Sequence, residues 1–344
     1  MNKFQYRPRY NKYLVYCNNE SGLGDRLIGV LSTFLYALIH NYHFRIKNFE
    51  PIPLQTILYS KYHWADNLWE RQNLKRGVFN FMNYVVDQEE LLTEGVVVDR
   101  FPDSDCVMMY CNQNFIPYIF RNPAFKERLE ELELTIENVF EELFNYLFVF
   151  KEEYAKNYEY LKENILNSTG KNIGVHIRTN HFWGDIPYMD ESGFQNFVLG
   201  IESIIEDNDK IFLSTDDKKY VELLKQKFPN NKVHSLKGRV VHNTKSEDQT
   251  VEDLVKAFYE IKLLSECDVR VLSYWSNFSR VPGLIGKGNN IIVDFEIDSK
   301  ANWQTGQWWY NNGVEKMSDV PRIYNIDTPI DGFRYVDFDE LMLK

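Results

Sequence analysis

The sequence predicts an α/β protein of two Rossmann-like domains facing a cleft. Three observations predict it. The chain has 344 residues, more than one simple core needs and enough for two domains. Near its start, a strand, a glycine turn, an apolar helix and a second strand follow one another. From about residue 171 onward, short apolar runs alternate with amphipathic helical stretches, the pattern of a doubly wound parallel sheet. An apolar content of 44% supplies the core, and an aromatic content of 15% argues against disorder.

The elements follow in order. "KYLVYC" (12–17) reads as the first strand. Gly22 and Gly24 make a turn into a helix whose Leu27, Val30, Leu31, Phe34, Leu35 and Leu38 recur at helical spacing. "YHFRIKN" (42–48) closes the unit as a strand, and "GVVVD" (95–99) and "DCVMMY" (105–110) are further strand candidates. From Asn122 to Asn167 the chain is rich in Glu, Leu and Phe and free of Gly, so it reads as helical and leads into the second domain. Strands are then expected at 171–178, 210–214, 232–236, 268–274 and 289–295, with helices at about 190–206, after 215, at 250–267 and from Ser276. Thr215 or Asp216 is placed to cap the helix after 215, and Thr250 with Asp253 has near capping-box spacing. The expected domains are 1–165, 166–300 and a C-terminal extension, 301–344, packing back across both.

Charge and composition exclude several classes. A formal net charge of −11 is the wrong sign for a general nucleic-acid surface, so no nucleic-acid partner is expected. The four cysteines, Cys17, Cys106, Cys111 and Cys267, are scattered without a CxxC pair, which argues against a zinc site or a disulfide framework. The N-terminus lacks the apolar core of a signal peptide, and no run suggests a membrane span. A cytoplasmic protein is the expectation.

In doubly wound sheets, ligands bind beyond the carboxyl ends of the strands. "NIGVHIRTN" (172–180) ends there in polar chemistry: Val175 and Ile177 alternate with His176 and Arg178. Arg178 offers a planar, permanent cation suited to a phosphate. Ser276 and Asn277 open a helix, where unsatisfied backbone N–H groups favour anions. Gly22-Leu23-Gly24 lets backbone approach an anion closely. Together these describe a diphosphate site. The bland readings are a surface strand, a satisfied core histidine, a simple serine cap and a solvated Glu260. The runs "TDD" (215–217) and "DSD" (103–105) fit a helix cap and a loop better than a metal site, so no metal is expected. Trp183, Trp303, Trp308 and Trp309 suit either sugar stacking or packing.

The motifs "GVHIRT" (174–179), "IFLSTDD" (211–217) and "YEIKLLSECDVRVLSYWSNFSRV" (259–281) resemble, in this order, three motifs of the α1,2/α1,6/protein O-fucosyltransferase superfamily. Residues 14–41 are similar to the glycine-turn opening of its xyloglucan and nodulation-type branches. The resemblance runs from Leu14 to about Ile285, apart from an unrecognised stretch around 50–170. It implies the GT-B architecture and an inverting, metal-independent transfer of fucose from GDP-fucose to a glycan hydroxyl, with no further cofactor. It places His176 at the guanine end, Arg178 on the β-phosphate, Glu260 at the base and Ser276 at the phosphates. The implied donor site takes in Gly22, Gly24, Arg26, His176, Arg178, Thr215, Asp216, Glu260, Ser276 and Asn277. Besides Arg178, the catalytic candidates are Asp25, Asp185 and Asp190, with Glu191 also placed to act as a base. Two departures stand out. The family often writes Arg-Arg-Thr-Asp where this chain has Arg178-Thr179-Asn180, and Glu260 replaces an Asp. They leave open a UDP- or GDP-linked pentose or deoxysugar donor, or a binding protein without transferase activity.

Overall fold

The computed structural model describes residues 12–17, 21–47, 51–59, 75–81, 103–112, 114–166, 169–179, 189, 191–239, 249–273, 276–293 and 323–326. The chain divides into two compact units, Met1–Tyr154 with Asn243–Val251, and Ala155–His242 with Glu252–Lys344.

In the first unit, β1 (Tyr13–Cys17), β2 (His43–Lys47), β3 (Arg76–Phe81) and β4 (Cys106–Cys111) form a parallel sheet in the order β2-β1-β4-β3. Helix α1 (Leu23–His40) connects β1 to β2 and is 89% buried. By length and composition alone it is long and apolar enough to cross a membrane, a test that a buried core helix also passes, and in this fold its apolar residues form the core beside the sheet. A Cβ on Gly29 would lie 2.0 Å from the carbonyl oxygen of Cys111, so only glycine lets α1 come this close to β4. At the far end of α1, Asn41 takes the left-handed conformation (φ 54°), and the Arg128 guanidinium donates to the Leu38 carbonyl and to Asn41 Oδ1. Strand β3 was not expected from the sequence, and the candidate strand 95–99 lies outside the described residues.

The expected helical run is broken into α2 (Ile116–Arg121), α3 (Lys126–Glu131), α4 (Val139–Leu147) and α5 (Glu152–Leu166). Glu133, at φ 55°, interrupts it between α3 and α4, and its carbonyl accepts from Asn138 Nδ2. From Ala155 on, α5 belongs to the second unit, ahead of the expected boundary at 165. Its Tyr158 hydroxyl donates to Glu266 at 2.7 Å, and the Tyr158 ring packs on Tyr259, both of the second unit.

The second unit holds β5 (Asn172–Ile177), β6 (Lys210–Thr215), β7 (Lys232–His234), β8 (Val269–Ser273), β9 (Asn289–Val293) and β10 (Ile323–Ile326). Their order is β10-β9-β8-β5-β6-β7. The intervening helices are α6 (Glu191–Glu202), α7 (Lys219–Lys227), α8 (Val251–Ser265) and α9 (Asn277–Ile285). Growth of the sheet reverses at β5, so its topological switch point lies between β5 and β8. At one edge the sheet departs from the expected all-parallel arrangement. Residues 323–326 add an antiparallel edge strand to β9, so the sheet is not wholly parallel.

Candidate functional site

Strand β5 explains why an apolar strand ends in polar groups. Ile173, Val175 and Ile177 are fully buried in a core shared with Phe197, Val198 and Ile201 of α6. Gly174 and His176 alternate onto the opposite face. There, a Cβ on Gly174 would lie 3.0 Å from Cys267 Sγ and 3.2 Å from Leu264 Cδ2, so α8 packs tightly behind the strand.

His176 is buried, and α9 holds it from two sides. Its Nδ1 shares a 2.5 Å hydrogen bond with Ser279 Oγ, and its ring stacks on Phe278 at 5.0 Å. Burial, with the Arg178 and Lys256 charges adding to it, pushes its pKa down to about 3, so the imidazole is neutral near pH 7. Ser273, at the end of β8, spans the switch point. Its hydroxyl donates to the His176 carbonyl at 3.0 Å and accepts from the Arg178 N–H at 2.9 Å.

Just past β5, the Arg178 guanidinium lies 3.2 Å from Asp216 Oδ2 with 23% of its side chain exposed. The other oxygen of Asp216 accepts from both the N–H and the hydroxyl of Thr179, each at 2.8 Å. Asp216 therefore does not cap the following helix, as the sequence suggested; it fixes the loop that carries Arg178. Thr215 does not cap it either. Its hydroxyl bonds to the Asp217 backbone, while the Asp217 carboxylate accepts from the Lys219 N–H. These local partners account for the "TDD" run, and among the described residues no group of His, Cys, Asp and Glu could hold a metal ion.

Glu260 is not a solvated helix residue: it is buried on α8. Its Oε1 pairs with Lys256 Nζ at 2.7 Å, and it also bonds to Ser214 of β6, which is in register with His176. Burial raises its pKa, while Lys256 and Ser214 pull it back down. Ser276 is the residue before α9 and is 7% exposed, yet its hydroxyl makes no capping bond. The simple-cap reading of Ser276 therefore fails. Asn277 opens α9 immediately after it.

In the first unit, Gly22 precedes α1 in extended conformation, and Gly24 lies buried in the helix's first turn. Asp25 and the buried Arg26 sit beside the buried Tyr16; burial lowers the Arg26 pKa, and Tyr16 and Asp25 raise it. Asp185 and Asp190, together with Trp183, Trp303, Trp308 and Trp309, lie outside the described residues. Glu191 starts α6 and is exposed.

The structure thus brings His176, Arg178, Thr215, Asp216, Glu260, Ser276 and Asn277 to the carboxyl side of one sheet. Sequence reasoning missed Ser273, Ser279 and Lys256. Lys256 had a readable signal, an opposite charge four residues before Glu260.

No family model matches the chain, and no curated protein matches it. Solved structures do. A mutant of Arabidopsis thaliana FUT1 in complex with GDP is similar at 17% identity and a TM-score of 0.65, over 83% of this chain and 71% of that one. The fucosyltransferase NodZ from Bradyrhizobium is similar at 15% identity and a TM-score of 0.55, over 93% of this chain and 100% of that one. NodZ α-1,6-fucosyltransferase soaked with GDP-fucose gives the same identity, 15%, and a TM-score of 0.54, over 93% of this chain and 100% of that one. The chain has the α/β fold of these GT-B fucosyltransferases.

Proposed function

We propose that the chain is an inverting, metal-independent glycosyltransferase that moves fucose from GDP-fucose to a glycan hydroxyl. The observation that carries this reading is Arg178, fixed by Asp216 beside the β5–β8 switch point and still partly exposed. A similar fold holding GDP in FUT1 and soaked with GDP-fucose in NodZ supports the donor class. All four cysteines are free and buried, which fits work in a reducing, cytoplasmic setting.

In this reading, the acceptor oxygen attacks the anomeric carbon as the bond to the diphosphate oxygen breaks. Negative charge grows on the leaving diphosphate. Arg178 and the N-terminus of α9, with the uncapped Ser276 hydroxyl, stabilise it, and preorganised donors of this kind lower a barrier by about 3–4 kcal/mol each. That supplies the role a divalent cation would otherwise take. The acceptor's proton goes to a carboxylate, for which Asp25, Asp185 and Asp190 are the candidates. His176, neutral and held by Ser279, orients the site and carries no charge into it.

The test is titration with GDP and UDP, followed by turnover of GDP-fucose with and without chelator. We expect GDP to bind more tightly and turnover to survive chelation. The Glu260→Gln variant should erode the preference by about 1–3 kcal/mol. A preference for UDP overturns the donor assignment. Turnover lost on chelation and restored by manganese overturns the metal-free mechanism.

A further inference from the structure

Lys256 and Glu260 face each other across one turn of α8 at 2.7 Å, with 14% and 7% of their side chains exposed. A pair this buried is weak evidence of a stabilising role, because apolar side chains of similar volume often serve as well. It does not tie two elements together, since both residues belong to one helix. Its surroundings are those of the site. Glu260 bonds to Ser214, Ser214 is in register with His176, and the Lys256 charge acts on the His176 imidazole. The segment after β7 holds the lysine stem in place. Gly238, at φ 130°, passes so close that an added Cβ would lie 3.0 Å from Lys256 Cδ. Next to it, Arg239 forks onto Asp253 in the first turn of α8, at 2.7 Å from Nη2 and 2.9 Å from Nε.

The pair offers fixed donors beside a fixed acceptor. An ammonium carries three donors, of which Glu260 takes one. The Watson–Crick edge of guanine has the complementary order, with the O6 acceptor beside the N1–H and N2–H donors. We propose that Lys256 is a specificity-determining residue that donates to O6 of the guanine whose N1–H and N2–H face Glu260, an inference that rests on the donor reading above. The roles then separate. Adenine would set an amino group against the ammonium, so Lys256 rejects it. Uracil would set its 2-carbonyl against the carboxylate, so Glu260 rejects it.

The test compares GDP with 6-thio-GDP by calorimetry. The thio analogue keeps N1–H and N2–H and puts a larger, weaker acceptor at position 6, so the change in the affinity ratio between wild type and the Lys256 variants reports on Lys256. Changes in the state of Glu260 affect both ligands alike. The wild-type protein should favour GDP about tenfold, as expected for a hydrogen bond from a charged donor. Lys256→Met should bring the ratio near unity, and Glu260→Gln should leave it intact. Because Lys256→Met leaves a buried carboxylate without its cation, the Lys256→Met/Glu260→Met double variant, checked for cooperative unfolding, must lose the ratio as well. A ratio unchanged by Lys256→Met, or equal binding of both ligands to wild type, overturns the inference. Wild type that prefers UDP to GDP overturns instead the donor reading beneath it.

Discussion

The second unit contains two arginines whose settings are opposite. Arg270 lies within β8, with none of its surface exposed. It donates to the carbonyls of Ser265, Cys267, Lys287, Gly286 and Gly288 and to Asn290 Oδ1, and no carboxylate faces it in this set. Burial pushes its pKa down to about 10, so it stays charged near pH 7. Arg178, just past the end of β5, has one carboxylate partner among the described residues and about a quarter of its side chain in solvent. One guanidinium has every donor occupied and serves the fold. The other is held by Asp216 and is partly exposed. An arginine at a sheet's ligand end is informative because part of it faces solvent, and the two residues should therefore fail differently.

Arg270→Met is the largest expected effect. It strands several buried carbonyls and the Asn290 amide oxygen without a donor, a loss of about 3–5 kcal/mol in urea unfolding. The variant that does fold should bind GDP as wild type does. Arg178→Ala should do the reverse. Turnover should fall by about a hundredfold to a thousandfold, while stability moves by no more than about 1 kcal/mol, because the ion pair is partly exposed. Lysine at this position should rescue poorly, having no planar fork. If both variants lost stability equally, the contrast between the two sites would collapse.

Much of this was legible in the sequence, and the reasons differ by residue. The β5 alternation and the α1 stripe were readable because burial imposes a period on them. The carboxyl-end location of Arg178 followed from the strand–helix order alone. The work of Asp216 was not readable. A helix cap and a clamp on a neighbouring loop use the same residue type at the same position, and only the pairing of β5 with β6 decides between them. Arg270 was hidden for a related reason. Its partners are mostly backbone carbonyls, which carry no side-chain signature. Strand β3 and strand β10 depend on neighbours distant in the chain, so local pattern could not announce them.

The contrast extends to histidine, where the readout is a slope against pH. The folded pKa of His176 is about 3 against an ordinary 6.5, so the fold favours its neutral form. Its contribution to stability is complete above pH 6.5 and is lost as pH falls toward 3, because the unfolded chain takes up the proton first. One proton corresponds to a slope of about 1.4 kcal/mol per pH unit in that window. His176→Gln should remove up to that slope in unfolding measured between pH 6.5 and 4. His40, pushed to about 4 by burial in the first unit, contributes to both proteins and cancels in the comparison. An unchanged slope would mean that His176 is protonated in the fold, and its bond to Ser279 would need another account.

The smallest expected change separates two glycines. At Gly286 an added Cβ would lie 2.4 Å from the Ser265 carbonyl oxygen and 2.5 Å from Arg270 Nη1, so that glycine serves the cage around Arg270. At Gly22 an added Cβ would meet Asp25 Oδ2 at 3.2 Å, the end of a side chain rather than backbone. Its backbone, at φ −62° and ψ 163°, suits any residue. Alanine at Gly22 loses about half a kcal/mol as a poorer N-cap and regains a similar amount by restricting the unfolded chain. Stability should therefore stay within about 0.5 kcal/mol of wild type. If the turn passes its backbone close to an anion, the extra methyl should nonetheless weaken donor binding severalfold, a split between stability and affinity that Gly286→Ala cannot produce. Calorimetry with GDP-fucose beside urea unfolding of Gly22→Ala measures both. Unchanged affinity would show that Gly22 only begins α1, and the ligand chemistry would then rest on the second unit's residues alone.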